Sequence, residues 1–240
     1  MPKRSKLVAT DPTKNVLEWE ECQRIEAAAT NQRDRCLVRV LYRTACRVSE
    51  ALALTPDDVL PRRQGIMVNH LKQRLLLKCP SCAHRLARDT KFCPGCGDGI
   101  SLAQRELQEE HSRRLVPVDA ETIRLLRKYA RVKAPRPGDH RLFPITRQRA
   151  RQVIQECARR AGLDMTVMLR TDREHLLSPH RLRDAFATHT LARSAEMGLD
   201  ATESLRMLQE VVGHRSAATT MKYLKVGAKE VKSWYEKVTE

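Results

Sequence analysis

The sequence predicts a mainly α-helical fold with a small antiparallel β-sheet, an α+β arrangement that carries an inserted cysteine-rich segment. Apolar residues recur at helical spacing along most of the 240 residues. Two short segments, 66–68 and 114–118, instead have the composition of strands, and the second is predicted to return antiparallel to the first. Two Cys-x-x-Cys pairs lie between these strands. The strands and the cysteines therefore predict one hairpin with a metal-binding insertion.

The predicted helices lie on both sides of this hairpin, and residues that start or stop helices mark several of their ends. Asp119 is a predicted N-cap. Pro56 ends the third helix, and Gly162 and Gly213 close two later ones. The predicted helices cover residues 17–29, 32–44, 49–54, 102–110, 119–131, 147–161, 179–195, 202–212, 216–224 and 227–238.

The domain organisation follows from length and composition. A chain of 240 residues is long enough to bury a substantial core, as one large domain or two small ones. Residues 1–15 are polar and basic, which predicts a flexible lead-in. We therefore expect one domain over residues 16–240, interrupted by an insertion at residues 73–112.

The charge balance favours a polyanionic partner. The chain has 45 Lys+Arg against 29 Asp+Glu, a formal net charge of +16. Such an excess favours nucleic acid or an anionic membrane surface. The sequence has no apolar run long enough to cross a bilayer, and its basic start is not followed by a signal-peptide core. We therefore expect a cytoplasmic, nucleoid-associated protein that binds nucleic acid and no membrane.

The cysteines fall into two groups. Four are scattered through apolar helical segments and are predicted to be small buried hydrophobic residues: Cys22, Cys36, Cys46 and Cys157. The other four form the two Cys-x-x-Cys pairs: Cys79, Cys82, Cys93 and Cys96. Thiolates at this spacing hold Zn²⁺ in a tetrahedron, and His84 is an alternative to one of them. A closed four-sulfur site has no open position, so the predicted zinc is structural.

A second group of polar residues suits phosphate chemistry. It consists of Arg47, His180, Arg183, His214 and Tyr223. Arginine gives two parallel donors to phosphate oxygens, histidine moves protons, and a tyrosine hydroxyl is a nucleophile. Taken singly, each residue would more often be a surface charge or a packing residue. Tyrosine ordinarily has a pKa near 10, and neighbouring cations are expected to lower it here.

Three motifs contain these residues. They are Thr44–Leu54 around Arg47, Pro179–Thr188 around His180 and Arg183, and Val212–Tyr223. Together they resemble the motifs of tyrosine recombinases of the phage-integrase family, over about residues 17–235 outside the insertion. The resemblance implies the helical catalytic domain of that family, with its small antiparallel sheet.

The resemblance also implies a role for each residue. Arg47 and Arg183 would clamp the scissile phosphate. His180 would assist proton transfer, and His214 would hydrogen-bond a phosphate oxygen. Tyr223 would attack phosphorus, forming a 3′-phosphotyrosyl bond and freeing a 5′-hydroxyl. The reaction would need neither ATP nor a catalytic metal.

The family uses a lysine of the strand hairpin as general acid. Lys72 fits best, with Lys78 and Lys91 as rivals because the insertion disturbs the register. The implied partner is double-stranded DNA, bound as a homo-tetramer on paired sites. The predicted helix over 227–238 would dock on a neighbouring subunit or pack on its own domain.

The chain departs from the family pattern at two positions. The family often has glycine before the first arginine, where this chain has Cys46, and histidine after the second, where it has Asp184. Asp184 is expected to lower the local positive potential. Two other functions stay open at this point: a topoisomerase-like nicking and closing enzyme, and a zinc-ribbon DNA-binding protein without catalysis.

The cysteine insertion has two possible roles. Arg85, Arg88 and Lys91 would let it contact DNA phosphates. Alternatively, it would only hold a long hairpin together.

Overall fold

The computed structural model describes residues 16–69, 77–86, 90–100, 113–132, 138–163, 165–168, 173–214, 216–221 and 223. Its helices agree closely with the predicted ones. They are α1 Trp19–Ala27, α2 Gln32–Thr44, α3 Val48–Ala53, α4 Ala120–Val132, α5 Arg147–Arg160, α6 Pro179–Glu196, α7 Ala201–Val212 and α8 Ala217–Met221. The predicted helices over 102–110 and 227–238, and the predicted lead-in, lie outside the described residues.

Three strands that lie between α3 and α4 in the sequence form an antiparallel sheet. It consists of β1 Val59–Leu60, β2 Gly65–Asn69 and β5 Arg113–Pro117, in the order β1-β2-β5. Ile66 lies opposite Val116 in the pairing of β2 with β5, and both side chains are fully buried. The inserted segment separates β2 from β5 in sequence and contains a small hairpin of β3 Leu77–Lys78 and β4 Arg85–Leu86.

Helix α2 lies at the centre of the main core and packs against α1, α4, α5 and α6. Its apolar face is buried because Leu37, Val40 and Leu41 follow one another at helical spacing. The four scattered cysteines are at most 1% exposed, which confirms that they are core residues. Burial raises the pKa of the Cys22 and Cys36 thiols to about 12, so both are inert.

One hairpin was not predicted from the sequence. β6 Met165–Met168 pairs antiparallel with β7 Arg173–Leu176, directly before α6. The composition Arg-Glu-His-Leu of the second strand has no β-branched residue, so local propensity does not indicate a strand. Among the described helices, none is both long and apolar enough to cross a membrane.

A buried carboxylate joins α1 to α2 and supports one stability prediction. Glu26, 4% exposed, accepts hydrogen bonds from Arg39 Nη1 at 3.0 Å and from Tyr42 Oη at 2.7 Å. Glu26→Gln leaves buried Arg39 with Asp119 as its remaining carboxylate partner, so the free energy of unfolding is expected to fall by about 3 kcal/mol.

The matched control is Glu121→Gln, which breaks an exposed pair with Arg124. It is expected to change stability by less than about 0.5 kcal/mol. Urea unfolding followed by circular dichroism measures both variants. Equal stabilities for the two would contradict the importance of the Glu26 network.

Candidate active site

The junction between α2 and α3 positions Arg47. Ala45 ends α2 in the left-handed conformation, with φ of 50°. The Glu50 carboxylate accepts hydrogen bonds from the Arg47 backbone N–H at 2.9 Å and from its Nη1 at 3.0 Å. Cys46, noted above as the departure from glycine, is simply buried, and the left-handed residue is Ala45. The first motif therefore folds into a fixed turn that presents a half-buried guanidinium.

Glu50 and Arg114 were not predicted as site residues, although the structure places both beside Arg47. The Glu50 side chain is fully buried and also accepts a hydrogen bond from Arg114 Nη2 at 2.9 Å. Arg114 Nε donates to the carbonyl oxygen of Val211 at 2.9 Å. This bond connects β5 to the end of α7, so the sheet and the last motif are held in one arrangement.

Arg183 is the most buried cation among the described residues, at 2% exposed. Its Nη1 donates a hydrogen bond to the carbonyl oxygen of Ala45. Its Nη2 is buried and has no hydrogen-bond partner within the described part of the chain. Burial, and secondly the charge of Arg47, lower the pKa of the guanidinium. An anion at Nη2 would supply the missing acceptor.

The end of α7 positions His214. Gly213 closes that helix in the left-handed conformation, with φ of 73°. His214 Nδ1 then lies 3.0 Å from Thr220 Oγ1. Burial, followed by the charges of Arg183, Arg47 and His180, lowers the pKa of His214 to about 4. The imidazole is therefore neutral at pH 7.

Tyr223 lies against His214, with the two rings nearly parallel and their centroids 6.1 Å apart. Its hydroxyl donates a hydrogen bond to Asp184 Oδ1 at 2.9 Å. Burial, and secondly the charge of Asp184, raise the pKa of Tyr223 to about 12. The pKa is therefore raised, and the expected net lowering was wrong. Arg183 does lower this pKa, but the loss of solvent and the Asp184 carboxylate outweigh its effect.

A cavity of about 730 Å³ opens beside these residues. Arg47, His180 and Arg183 line it from α3 and α6, and Arg147 and Arg151 line it from α5. His214 and Tyr223 are not among its lining residues. Tyr223 packs instead in a small apolar cluster with residues of α6 and α7, next to the Arg183 guanidinium. The cavity is thus a strongly cationic pocket, and Tyr223 is not part of its lining.

The structure does not test the predicted general acid. Lys72 lies outside the described residues. Its rivals Lys78 and Lys91 belong to the inserted segment, where both are exposed.

The inserted segment brings the four paired cysteines together. The sulfur atoms of Cys79, Cys82, Cys93 and Cys96 all lie within 4.8 Å of one another. In a tetrahedron with zinc–sulfur bonds of about 2.3 Å, sulfur atoms are about 3.8 Å apart, so the cluster is compatible with zinc. His84 contributes no ligand atom to the group that the described residues form.

The two cysteine turns are built alike. Ala83 N–H donates to the carbonyl oxygen of Cys79 at 2.9 Å, and Gly97 N–H donates to that of Cys93 at 2.8 Å. Both donors have positive φ, 57° and 80°. Repeated turns of this kind direct both cysteines of a pair toward one point, which is what a tetrahedral metal needs.

Comparison with known proteins identifies the family. The sequence model described as "Phage integrase family" matches residues 101–230, more than half of the chain. The chain belongs to the phage integrase family. The resemblance predicted from the three motifs is thereby confirmed.

Several curated relatives of this phage integrase family member are named tyrosine recombinases. XerD of Corynebacterium glutamicum is 30% identical over 84% of this chain and 51% of its own length. XerD of Pseudomonas putida is 30% identical over 93% of this chain and 65% of its own length. The chain thus spans between about half and two-thirds of these relatives.

Solved structures show the fold. A crystal structure of XerA recombinase covers 94% of this chain at a TM-score of 0.56 and 21% identity. The catalytic domain of bacteriophage HP1 integrase covers 92% of this chain and 93% of its own, at a TM-score of 0.51 and 21% identity. The fold is that of a tyrosine recombinase catalytic domain, as predicted.

Proposed function

We propose that this phage integrase family member cuts and rejoins double-stranded DNA through a 3′-phosphotyrosyl intermediate at Tyr223. The observation that carries the proposal is the unpaired, buried Nη2 of Arg183, next to Arg47 at a cationic cavity and to the Tyr223 hydroxyl. A buried guanidinium nitrogen without an acceptor favours an anionic ligand. A phosphodiester is an anion that also contains an electrophilic phosphorus, which a tyrosine hydroxyl can attack.

The proposed roles are those that the family resemblance implies, and the contacts of the described residues support several of them. Arg47 and Arg183 bind the non-bridging oxygens and stabilise the charge that develops at phosphorus. Neutral His214 donates one further hydrogen bond, since its Nδ1 is already engaged with Thr220. His180, with its side chain 71% exposed at the cavity rim, exchanges protons with solvent. Lys72 is proposed to protonate the leaving 5′ oxygen.

Arg147 and Arg151 extend the phosphate-binding surface along α5. Both are exposed at the cavity, whereas Arg149 of the same helix is paired with Glu156 at 2.7 Å. Contacts of this kind give affinity that falls with salt and carries little sequence preference. Solved structures of similar fold include the Tn1549 transposon integrase in complex with transposon right end DNA, which supports DNA as the partner.

The test is a suicide substrate, a duplex nicked so that the cleaved fragment diffuses away and the covalent complex accumulates. A library of such duplexes avoids the need to know the site in advance. We expect the wild type to form a complex that survives denaturing electrophoresis. Absence of any complex across the library would overturn the proposal.

The finer function proposed is site-specific recombination by a homo-tetramer on paired sites. Product joining should then require two sites and rise steeply with protein concentration. A topoisomerase-like enzyme would instead relax supercoiled plasmid carrying a single site, as a monomer.

The cysteine cluster is proposed to hold one structural Zn²⁺ per chain. Four thiolates would close its coordination shell and fix the inserted hairpin. Cys96→Ser removes a proposed metal ligand. Loss of a residue that only orients a ligand weakens metal binding by roughly 10–100-fold, and the loss of Cys96 is expected to weaken zinc binding by more than that. Metal analysis and the absorption spectrum of the Co²⁺-substituted protein measure this.

His84→Ala is the matched control, because His84 is the alternative ligand and is equally exposed. It should retain zinc and a four-sulfur cobalt spectrum. Zinc retained by Cys96→Ser, or lost from His84→Ala, would contradict the four-cysteine site.

A further inference from the structure

We propose that Asp184 is a catalytic residue, which accepts the phenolic proton of Tyr223 as the tyrosine oxygen attacks phosphorus. The inference rests on the proposed function and adds a residue to it. The family motif does not supply this role, since histidine often stands at this position. The role follows instead from where α6 places the carboxylate.

The first argument is contact with the reacting atom. The Tyr223 hydroxyl donates its proton toward Asp184 Oδ1 across 2.9 Å. A general base must lie within about 2.6–3.2 Å of the atom that it deprotonates. Asp184 also directly follows Arg183 on α6, so the base and the phosphate-binding guanidinium are fixed on one helix.

The second argument is that the nucleophile needs a base. Burial is the largest cause that raises the pKa of Tyr223 to about 12, so the neutral phenol predominates at pH 7. Attack that relied on preformed phenolate alone would therefore be slow. A carboxylate already hydrogen-bonded to the hydroxyl removes the proton as the new O–P bond forms, so no free phenolate has to accumulate.

Neighbouring histidines are placed less well for this step. His214 lies nearly parallel to the tyrosine ring, and its Nδ1 is engaged with Thr220. His180 Nε2 lies 3.7 Å from Asp184 Oδ1, so it faces the carboxylate. Within the described part of the chain, Asp184 is the acceptor that the phenol contacts.

The surroundings of Asp184 also provide an exit for the proton. The side chain of Asp184 is 13% exposed, whereas that of His180, one helical turn earlier, is 71% exposed. Arg181 Nη1 lies 3.5 Å from Asp184 Oδ2. His180 contacts both the carboxylate and solvent, so it can relay the accepted proton to water.

The step balances as follows. The bond from Tyr223 Oη to phosphorus forms, the bond from phosphorus to the 5′ oxygen breaks, and the phenolic proton moves to Asp184. The 5′ oxygen leaves with a proton from the general acid, for which Lys72 is proposed. In rejoining, protonated Asp184 returns its proton to the departing tyrosine oxygen, so the same residue serves both directions.

The first test is Asp184→Asn, which keeps the size of the side chain and an oxygen that accepts the phenol hydrogen bond but is a far weaker proton acceptor. Single-turnover adduct formation on a suicide duplex is expected to fall by about 10²–10⁴-fold, the usual contribution of a general base. Rejoining should slow by the same factor. Asp200→Asn is the matched control, because asparagine caps α7 as well as aspartate does and Asp200 lies at the opposite end of that helix from His214.

The second test separates proton transfer from a structural role. Asp184→Ala should be similarly slow and should regain activity when formate or acetate is added, because a small carboxylate can occupy the vacated space. Wild type and Asp200→Asn should not respond to these anions.

Each outcome bears on the inference. Slow cleavage by Asp184→Asn, with carboxylate rescue of Asp184→Ala, supports it. Cleavage at or above the wild-type rate would overturn it and identify the hydrogen bond as a restraint on the tyrosine. Slow cleavage without rescue would also overturn it. If the wild type forms no adduct, that result would contradict the proposed function itself and therefore also the proposed role of Asp184.

Discussion

Tyr223→Phe is expected to abolish covalent attachment to DNA while leaving DNA binding intact. Phenylalanine loses only the hydroxyl and keeps the aromatic ring. That ring packs against the apolar cluster between α6 and α7 and is stacked nearly parallel to the His214 ring. Removal of a nucleophile that acts with its neighbours as a unit lowers turnover by at least about 10⁴-fold. Adduct formation on a suicide duplex measures the loss, and a titration at several salt concentrations measures binding.

Tyr129→Phe is the matched control, since Tyr129 is a buried tyrosine of α4 that packs against Phe143 outside the site. It should form adduct at the wild-type rate. An adduct that survives in Tyr223→Phe would place the nucleophile elsewhere.

Arg183→Lys is expected to lower single-turnover cleavage by about 10²–10³-fold, the usual loss when one preorganised donor to a developing charge is removed. Arg183 uses Nη1 for the Ala45 carbonyl and leaves Nη2 for the phosphate. A single ammonium group cannot reproduce that planar fork. The change should therefore affect the chemical step even though the charge is kept.

Arg193→Lys provides the comparison on the same helix. Arg193 is exposed and pairs only with Glu196 among the described residues, three positions later. It should cleave at the wild-type rate. A rate for Arg183→Lys within about threefold of wild type, in protein shown to be folded by circular dichroism, would contradict a phosphate-clamping role for Arg183.

Much of the fold follows from local sequence signals. The ends of α2 and α5 agree with prediction because the 3.6-residue periodicity is clear, and glycine at 213 fixes where α7 stops. The hairpin of β6 and β7 was missed because its second strand lacks strand-forming residues. Pairing with β6 supplies the stabilisation that local propensity does not.

The candidate site was predictable as a set of residue types in order, but its internal contacts were not. Arg114 reaches Glu50 across 64 positions of sequence, and no local pattern indicates that bond. The predicted direction of the Tyr223 pKa was wrong for a related reason. The number of nearby cations predicted a lowered pKa for Tyr223. The pKa is raised instead, because the loss of water and one carboxylate at 2.9 Å dominate the ionisation of this half-buried phenol.

The most direct measurement is the chemical identity of the covalent bond. Wild-type protein would be trapped on a cleaved duplex, digested with protease and nuclease, and mapped by mass spectrometry. We expect one modified peptide, with a nucleotide attached through its 3′-phosphate to Tyr223 and a free 5′-hydroxyl on the other DNA fragment. Attachment at another residue, or a 5′-phosphate on the tyrosine, would contradict the account.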